Sequence, residues 1–267
     1  MIEAPVGYQC PECVGEARRE FRRGPGRRIA VANARGTSLT TAILIAIGAM
    51  YAIEVIPAGA GALFAGPSLL RLVRLGGNVG YAIDAGSEIG VAAGQYWRLF
   101  TSMFLHANLV HIALNAYALF LFGHVIEQEL GRVRFALIYL TTGLFASAVS
   151  FAFAPPVQVG IGASGAIFGL FGAFFAYNYR RRHQALAAAR IQQMIFLLVI
   201  NLVLGVSVPG IDWHAHAGGF VAGLAAGTVA EGWGDPAQRR VIMIAGFVGI
   251  AAVTALVVAW RSADLLG

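Results

Sequence analysis

FALIYLTTGLFASAVSFAFAPPVQVGIGASGAIFGLFGAFFAYNY, residues 135–179, runs for 45 amino acids without a charged side chain. A helix rises about 1.5 Å per residue and a bilayer core is about 30 Å thick, so about 20 apolar residues make one crossing. The run is long enough for two crossings. Pro155-Pro156 marks the break between them, because proline lacks the backbone donor and clashes with a continuing helix.

Further uncharged runs occupy 36–53, 99–126, 191–211, 213–230 and 241–260. Together they predict seven spans, near 38–56, 107–126, 134–153, 163–179, 191–208, 213–230 and 241–260. Between the first two lies a long loop, 57–105, with Pro57, Pro67, nine glycines and the acids Asp84 and Glu88. Its apolar pieces are too interrupted to cross, and some are expected to lie in the interface.

Composition agrees. Of the 267 residues, 58% are hydrophobic and 12% charged, where a soluble domain carries roughly 25% charged residues. Mean hydropathy is +0.71, and 34 glycines suit helices packed closely in lipid. A water-soluble enzyme, a disordered chain and a disulfide-stapled domain are excluded. What remains is an all-α polytopic membrane protein.

All 19 basic residues are arginines, and the net charge is +6. In a membrane protein such residues mark cytoplasmic loops. The segment up to Arg35, the 127–134 turn, the 180–190 loop and the 231–240 loop hold fifteen. Arg71, Arg74, Arg98 and Arg261 lie on the other side. This places the N-terminus in the cytoplasm and the C-terminus outside a cell (plasma or inner) membrane. The N-terminal arginines orient the chain and attract anionic lipid, so nucleic acid is not expected as a partner. The polar N-terminus has no short apolar core of a signal peptide, so the first span is expected to act as its own insertion signal.

With that parity, spans two, four and six all enter from the outer side. Each carries polar groups near its start, where polar side chains in lipid are costly. Span four begins at Gly162-Ala163-Ser164-Gly165. Span six begins with Asp212-Trp213-His214-Ala215-His216. His111 and Asn115, four residues apart, share one face of span two.

A serine hydroxyl needs a base within hydrogen-bond reach, which imidazole supplies. Acyl transfer also needs donors for a developing oxyanion, and His111, Asn115 and the Ser164 N–H suit that role. Gly219, Gly223 and Gly227 form a GxxxGxxxG ridge, the spacing of close helix packing, and Gly162, Gly165 and Gly169 flank the serine. His216 shares the face of Gly219 and Gly223, so it is the better base. His214 points the other way and is expected at the outer rim. Singly, each group has a plainer structural reading; the shared depth and face join them.

At these motifs the sequence resembles the rhomboid family of intramembrane serine proteases. The likeness covers about residues 95–230: Tyr96-Trp97-Arg98, His106 with His111 and Asn115, Gly162-Ala163-Ser164-Gly165, and Ala215-His216 with Gly219 and Gly223. The resemblance implies a six-helix rhomboid bundle, with 241–260 as an extra C-terminal transmembrane helix. It also implies Ser164 as nucleophile, His216 as general base and His111 and Asn115 at the oxyanion. Trp97 and Arg98 would belong to a structured first loop.

The implied activity is serine endopeptidase cleavage of single-span or polytopic membrane protein substrates near their outer ends, with no cofactor. The rival is an inactive relative that binds membrane helices, which would require a lost serine or base. A transporter is disfavoured by the lack of an internal repeat. A metal hydrolase is disfavoured because no carboxylate within the spans accompanies the histidines. Asp212 is expected to be solvated, one turn outward of His216, without a catalytic role.

The chain divides into an Arg-rich cytoplasmic segment at 1–36, a six-span core at 37–230, and a cytoplasmic linker with the seventh span at 231–267. Cys10 and Cys13 make half of a four-ligand zinc site; some rhomboid relatives look as if they carry a Cys-rich zinc segment there. Two plain thiols are the other reading. The glycine ridges serve packing within one chain or between chains, so no oligomeric state follows.

Overall fold

The structure, a computed structural model, describes residues 2–4, 7–10, 38–59, 61–207, 210–232 and 234–267. Contacts divide the chain into two units, Met1–Ser38 and Leu39–Gly267. In the first, Ile2–Ala4 (β1) and Gly7–Gln9 (β2) pair as an antiparallel hairpin that ends at the exposed Cys10. Cys13 lies outside the described residues, so the zinc reading has no structural counterpart here.

The second unit holds seven long helices among its described residues. They are α1 (Leu39–Val55), α2 (Leu109–Leu130), α3 (Arg132–Phe153), α4 (Ser164–Tyr179), α5 (Ala185–Ser207), α6 (Trp213–Glu231) and α7 (Pro236–Leu266). Four segments, Leu39–Ala58, Leu109–Leu130, Arg132–Phe153 and Pro236–Leu266, are long and apolar enough by themselves to cross a membrane.

α4 is shorter, at 16 residues. That is about 24 Å of helix against a core of about 30 Å, so it falls short of a full crossing. A short helix can occupy the centre because its neighbours shield it: Gly165 through Leu170 are all buried.

The α4–α6 seam brings two helix backbones together. A Cβ on Gly219 would stand 2.1 Å from Gly165 O, and one on Gly223 would stand 2.1 Å from Gly169 O. The GxxxGxxxG face therefore lies directly on the α4 backbone. Dispersion grows with this proximity, and few side-chain rotamers are frozen to obtain it. α3 closes the other side with Phe135, Ile138 and Tyr139, all fully buried.

Polar clamps hold the helix ends. The Glu127 carboxylate of α2 accepts the Leu39 N–H (2.9 Å), the Thr40 N–H (2.9 Å) and the Thr40 hydroxyl (2.7 Å). It thereby satisfies donors that a helix start leaves open. At the other end of α1, the Arg71 guanidinium donates to Glu54 O and Ile53 O, both at 2.8 Å.

The loop between α1 and α2 holds regular structure of its own. It contains short helices at Ala62–Ala65, Leu69–Arg74 and Arg98–Thr101, and a hairpin of β3 (Ala82–Asp84) and β4 (Ser87–Ile89). Arg98 is buried at its centre and donates to Val73 O (2.6 Å), Gly77 O (2.9 Å) and Gln95 Oε1 (2.6 Å). Its hydrogen bonds explain how a charge is tolerated there. Trp97 beside it is exposed, and the guanidinium lies 4.8 Å from the indole centre.

The seventh helix begins earlier than the uncharged run. Asp235 and Gln238 form a capping box at Pro236, so the linker after α6 is only 232–235.

Candidate active site

Ser164 opens α4 because the chain before it is pinned. Gly160 exchanges two backbone bonds with Asn78, at 3.0 and 2.8 Å, and the Gly162 N–H donates to Ser102 O at 2.9 Å. Gly162 has φ +116°, a conformation that side chains rarely adopt, and its Cβ would meet His111 Nε2 at 2.7 Å. Only glycine suits this turn. Ala163 is the N-cap, and the first helical bond runs from the Ile167 N–H to Ala163 O (3.0 Å). The N–H groups of Ser164, Gly165 and Ala166 therefore lie outside the helical ladder, at the positive end of the dipole.

His216 comes to this serine from α6. Its Nε2 lies 2.8 Å from Ser164 Oγ, across 52 positions of sequence. The imidazole stacks on Phe168, with centroids 4.4 Å apart and planes 14° apart. Phe168 follows Ser164 by one turn of the same helix, so nucleophile and base share one platform. His216 Nδ1 is buried and has no hydrogen-bond partner among the described residues. In the Nδ1–H tautomer, Nε2 can accept the serine proton.

His111 faces the same space. The site of a Cβ on Gly162 is 2.7 Å from His111 Nε2 and 3.7 Å from Ser164 Oγ. Asn108 caps α2 by accepting the His111 N–H at 2.9 Å, and His111 Nδ1 accepts the Ala107 N–H at 3.3 Å. With Nδ1 an acceptor, the proton of the neutral ring sits on Nε2, which makes His111 a donor toward the serine. Asn115 is buried one turn on. Its Nδ2 donates one N–H to His111 O at 2.9 Å and keeps a second donor.

Gly165 and Gly219 stand at the crossing, where a Cβ on Gly165 would fall 2.7 Å from Ala146 Cβ. His214 is not in this group. It packs against Trp213 (4.0 Å) and Phe153 (6.5 Å), with Nδ1 3.7 Å from Asp212 Oδ1.

Two expectations need correction. Asp212 is not solvated: its side chain is only 13% exposed. It caps α6 through the Ala215 N–H at 3.1 Å and accepts the Ser150 hydroxyl of α3. The cap and the inter-helix bond draw it inward. Secondly, a carboxylate does accompany the histidines. Glu54 of α1 is fully buried and accepts the His106 backbone N–H at 3.2 and 3.3 Å. It contacts the backbone of His106, and His106 Nδ1 faces Phe104 O at 3.2 Å. Among the described residues no group of three or more His, Cys, Asp or Glu is placed to hold a metal ion.

Phe168 and Ser150 had no assigned part. Phe168 was findable, since a residue four after Ser164 lies on the same helix face. Ser150 carries no local signal.

Residues 93–231 match the family model of the rhomboid domain. The chain belongs to the rhomboid family. As a rhomboid it is a multi-pass helical membrane protein. It is 37% identical over 164 residues to rhomboid protease GluP of Bacillus subtilis (strain 168), covering 60% of this chain and 32% of that one. It is 37% identical over 167 residues to RHOMBOID-like protein 1 of Arabidopsis thaliana, covering 61% of this chain and 40% of the relative. Against the mitochondrial RHOMBOID-like protein 6 of the same plant the identity is 35% over 169 residues, with 62% and 52% covered. The chain thus spans about a third to a half of these three relatives' lengths. The matched rhomboid segment contains α2 through α6 and so includes Ser164, His216, His111 and Asn115.

Proposed function

We propose that this rhomboid is an intramembrane serine endopeptidase working with a Ser164–His216 dyad. The observation that carries the reading is the 2.8 Å contact between His216 Nε2 and Ser164 Oγ. As Oγ attacks a substrate carbonyl, its proton passes to His216 Nε2 and a tetrahedral oxyanion forms. The His111 Nε2–H, the Ser164 N–H and the second Asn115 N–H are the candidate donors to that oxygen. Collapse breaks the C–N bond, and His216 returns the proton to the leaving amine. Water then repeats the cycle on the acyl-enzyme: His216 takes its proton and gives it back to Ser164 Oγ.

The substrates are membrane helices, single-span or within polytopic proteins. A regular helix in lipid has every carbonyl hydrogen-bonded, so a cleavable target must unwind locally. The partly exposed serine at the start of a short helix fits a cut near one membrane face. The arginine bias supports that face lying outside a cell membrane, with the N-terminus cytoplasmic and the C-terminus outside. Cysteine-accessibility labelling of engineered single cysteines at either end tests the orientation. Labelling of the C-terminal tail from the cytoplasmic side alone would reverse it.

The deciding experiment is cleavage of a reconstituted single-span substrate, helix-destabilised near its outer end. Ser164→Ala should lower the rate by about 10⁴-fold or more. A fluorophosphonate probe should label the wild type and not the variant. Folded wild type that neither cleaves nor labels would favour a helix-binding protein without protease activity.

A further inference from the structure

We infer that Asp212 is a positioning residue for this reaction: by capping α6 and gripping Ser150 of α3, it sets His216 on Ser164. The inference rests on the dyad reading above. It starts from the ring nitrogen that the dyad leaves idle. A general base is commonly oriented by a third group bonded to its other nitrogen. Here His216 Nδ1 is buried without a partner among the described residues, so the orientation must come from elsewhere. Phe168 fixes the ring plane by stacking. The first turn of α6 must fix where the ring sits along and around the helix.

Asp212 organises that turn. Its Oδ1 accepts the Ala215 N–H at 3.1 Å, and its backbone oxygen accepts the His216 N–H at 3.3 Å. Its Oδ2 accepts the Ser150 hydroxyl, 62 positions away on α3. A Cβ on Gly160 would stand 3.4 Å from the same Oδ2, so the carboxylate also lies near the segment leading to Ser164. Gly160 is the residue bridged to Asn78, and the Asn78 Nδ2 donates to Ser147 O at 2.8 Å.

One carboxylate therefore bonds to the helix of the base and to the third helix, and lies near the chain that leads to the nucleophile. His214 also faces it, with Nδ1 at 3.7 Å. A cap alone needs no second partner: Ser, Thr or Asn satisfies an N-terminal donor as well. The tie to Ser150 is what a cap does not explain. A displacement of about 1 Å at a reacting pair can cost about 10²-fold in rate, and this tie opposes such a displacement.

The test compares Asp212→Ala, Asp212→Asn and Ser150→Ala in the full chain. The readouts are substrate cleavage, fluorophosphonate labelling of Ser164 and hydrogen exchange of the 213–216 amides. In Asp212→Ala, kcat and the labelling rate should fall together by about 100-fold with KM within about twofold. Asp212→Asn keeps an oxygen for the Ala215 N–H and an amide that can donate to Ser150, so it should recover to within about tenfold. Ser150→Ala should lower kcat by about tenfold in the wild type and add little in the Asp212→Ala background, because both act through one contact.

Wild-type cleavage and labelling in Asp212→Ala, with only the amide exchange accelerated, would reduce Asp212 to a helix cap and overturn the proposal. Should Asp212→Ala fail to fold, an unchanged kcat in Ser150→Ala overturns it equally. If folded wild type neither cleaves nor labels, the protease reading fails separately. The side-chain ¹⁵N signal of His216 in Ser150→Ala then decides: the wild-type hydrogen-bonded signal to Ser164 overturns the positioning role, and its loss upholds it.

Discussion

Along α6, a Cβ on Gly219, Gly223 or Gly227 would fall 2.1 Å from Gly165 O, 2.1 Å from Gly169 O or 2.5 Å from Ala173 Cα. Along α7, Gly249 has nothing within 4 Å of its Cβ position. Only Phe247, Val258 and Ser262 are buried among the 31 residues of that helix. α7 also leaves a cleft of about 380 Å³ against α3, between Thr141, Leu144, Thr254 and Ala255. One helix is held backbone to backbone and leaves no tolerance. The other leans on the bundle through a few side chains. The site lies on the first kind of contact, since Ser164 and His216 project from the two helices of the tight seam.

The largest effect is expected at Gly223→Val, where the new Cβ meets the Gly169 carbonyl oxygen, a backbone atom that cannot turn aside. Loss of at least about 3 kcal/mol, or failure to fold, is expected by thermal denaturation in detergent. A melting curve matching the wild type would show that the seam is looser than drawn.

Gly169→Ala sharpens the same contrast within the seam. Its Cβ would fall 1.8 Å from Thr142 Oγ1 and 2.4 Å from Thr142 Cβ; the hydroxyl can rotate at the expense of its 2.7 Å bond to Ile138 O, whereas the Cβ moves only with the α3 backbone. About 2 kcal/mol or more should be lost, and Thr142→Ala in the same chain should restore only the part due to the hydroxyl, since alanine keeps the Cβ. No recovery in the double variant would mean that the α3 backbone itself obstructs.

Removal of 236–267 tests the other side of the comparison. Ser164 should still react with a fluorophosphonate within about threefold of the full chain, since Gly246 of α7 meets α6 at Val229, 13 residues beyond His216. Complete loss of labelling would show that α7 supports the dyad directly. The smallest effect is expected for Gly249→Ala: between no change and about 1 kcal/mol of stabilisation, from alanine's better helix propensity in open space. A destabilised variant would reveal a neighbour for that face.

Most of the fold could be read from charge and period. Uncharged runs locate every long helix, because each charged side chain in lipid carries a large cost. The same rule cut α7 short, since Arg239 and Arg240 lie on its first turns and the capping box starts it at Pro236. Ser164 and the glycine-facing His216 were legible because both lie on small-residue faces whose phase is set by the helical repeat. Asp212 was misjudged for a related reason. Counting four residues back from His216 gives its height on the helix, but not the serine of α3 that draws it inward. Glu127 on Thr40 and Glu54 on the His106 backbone are of this second kind: each joins residues more than fifty positions apart.

Sequence by itself determined the solvent, the number of long helices and, for α6, the glycine face that carries His216. These follow from hydropathy and period, which are summed over adjacent residues. Tertiary structure alone decided which polar groups meet. Whether His216 reaches Ser164 at 2.8 Å, 52 positions away, depends on the depth and rotation of two helices. Those are set where glycine lets one backbone rest on another, and a hydrogen bond that fails beyond about 3.5 Å registers errors that hydropathy cannot see.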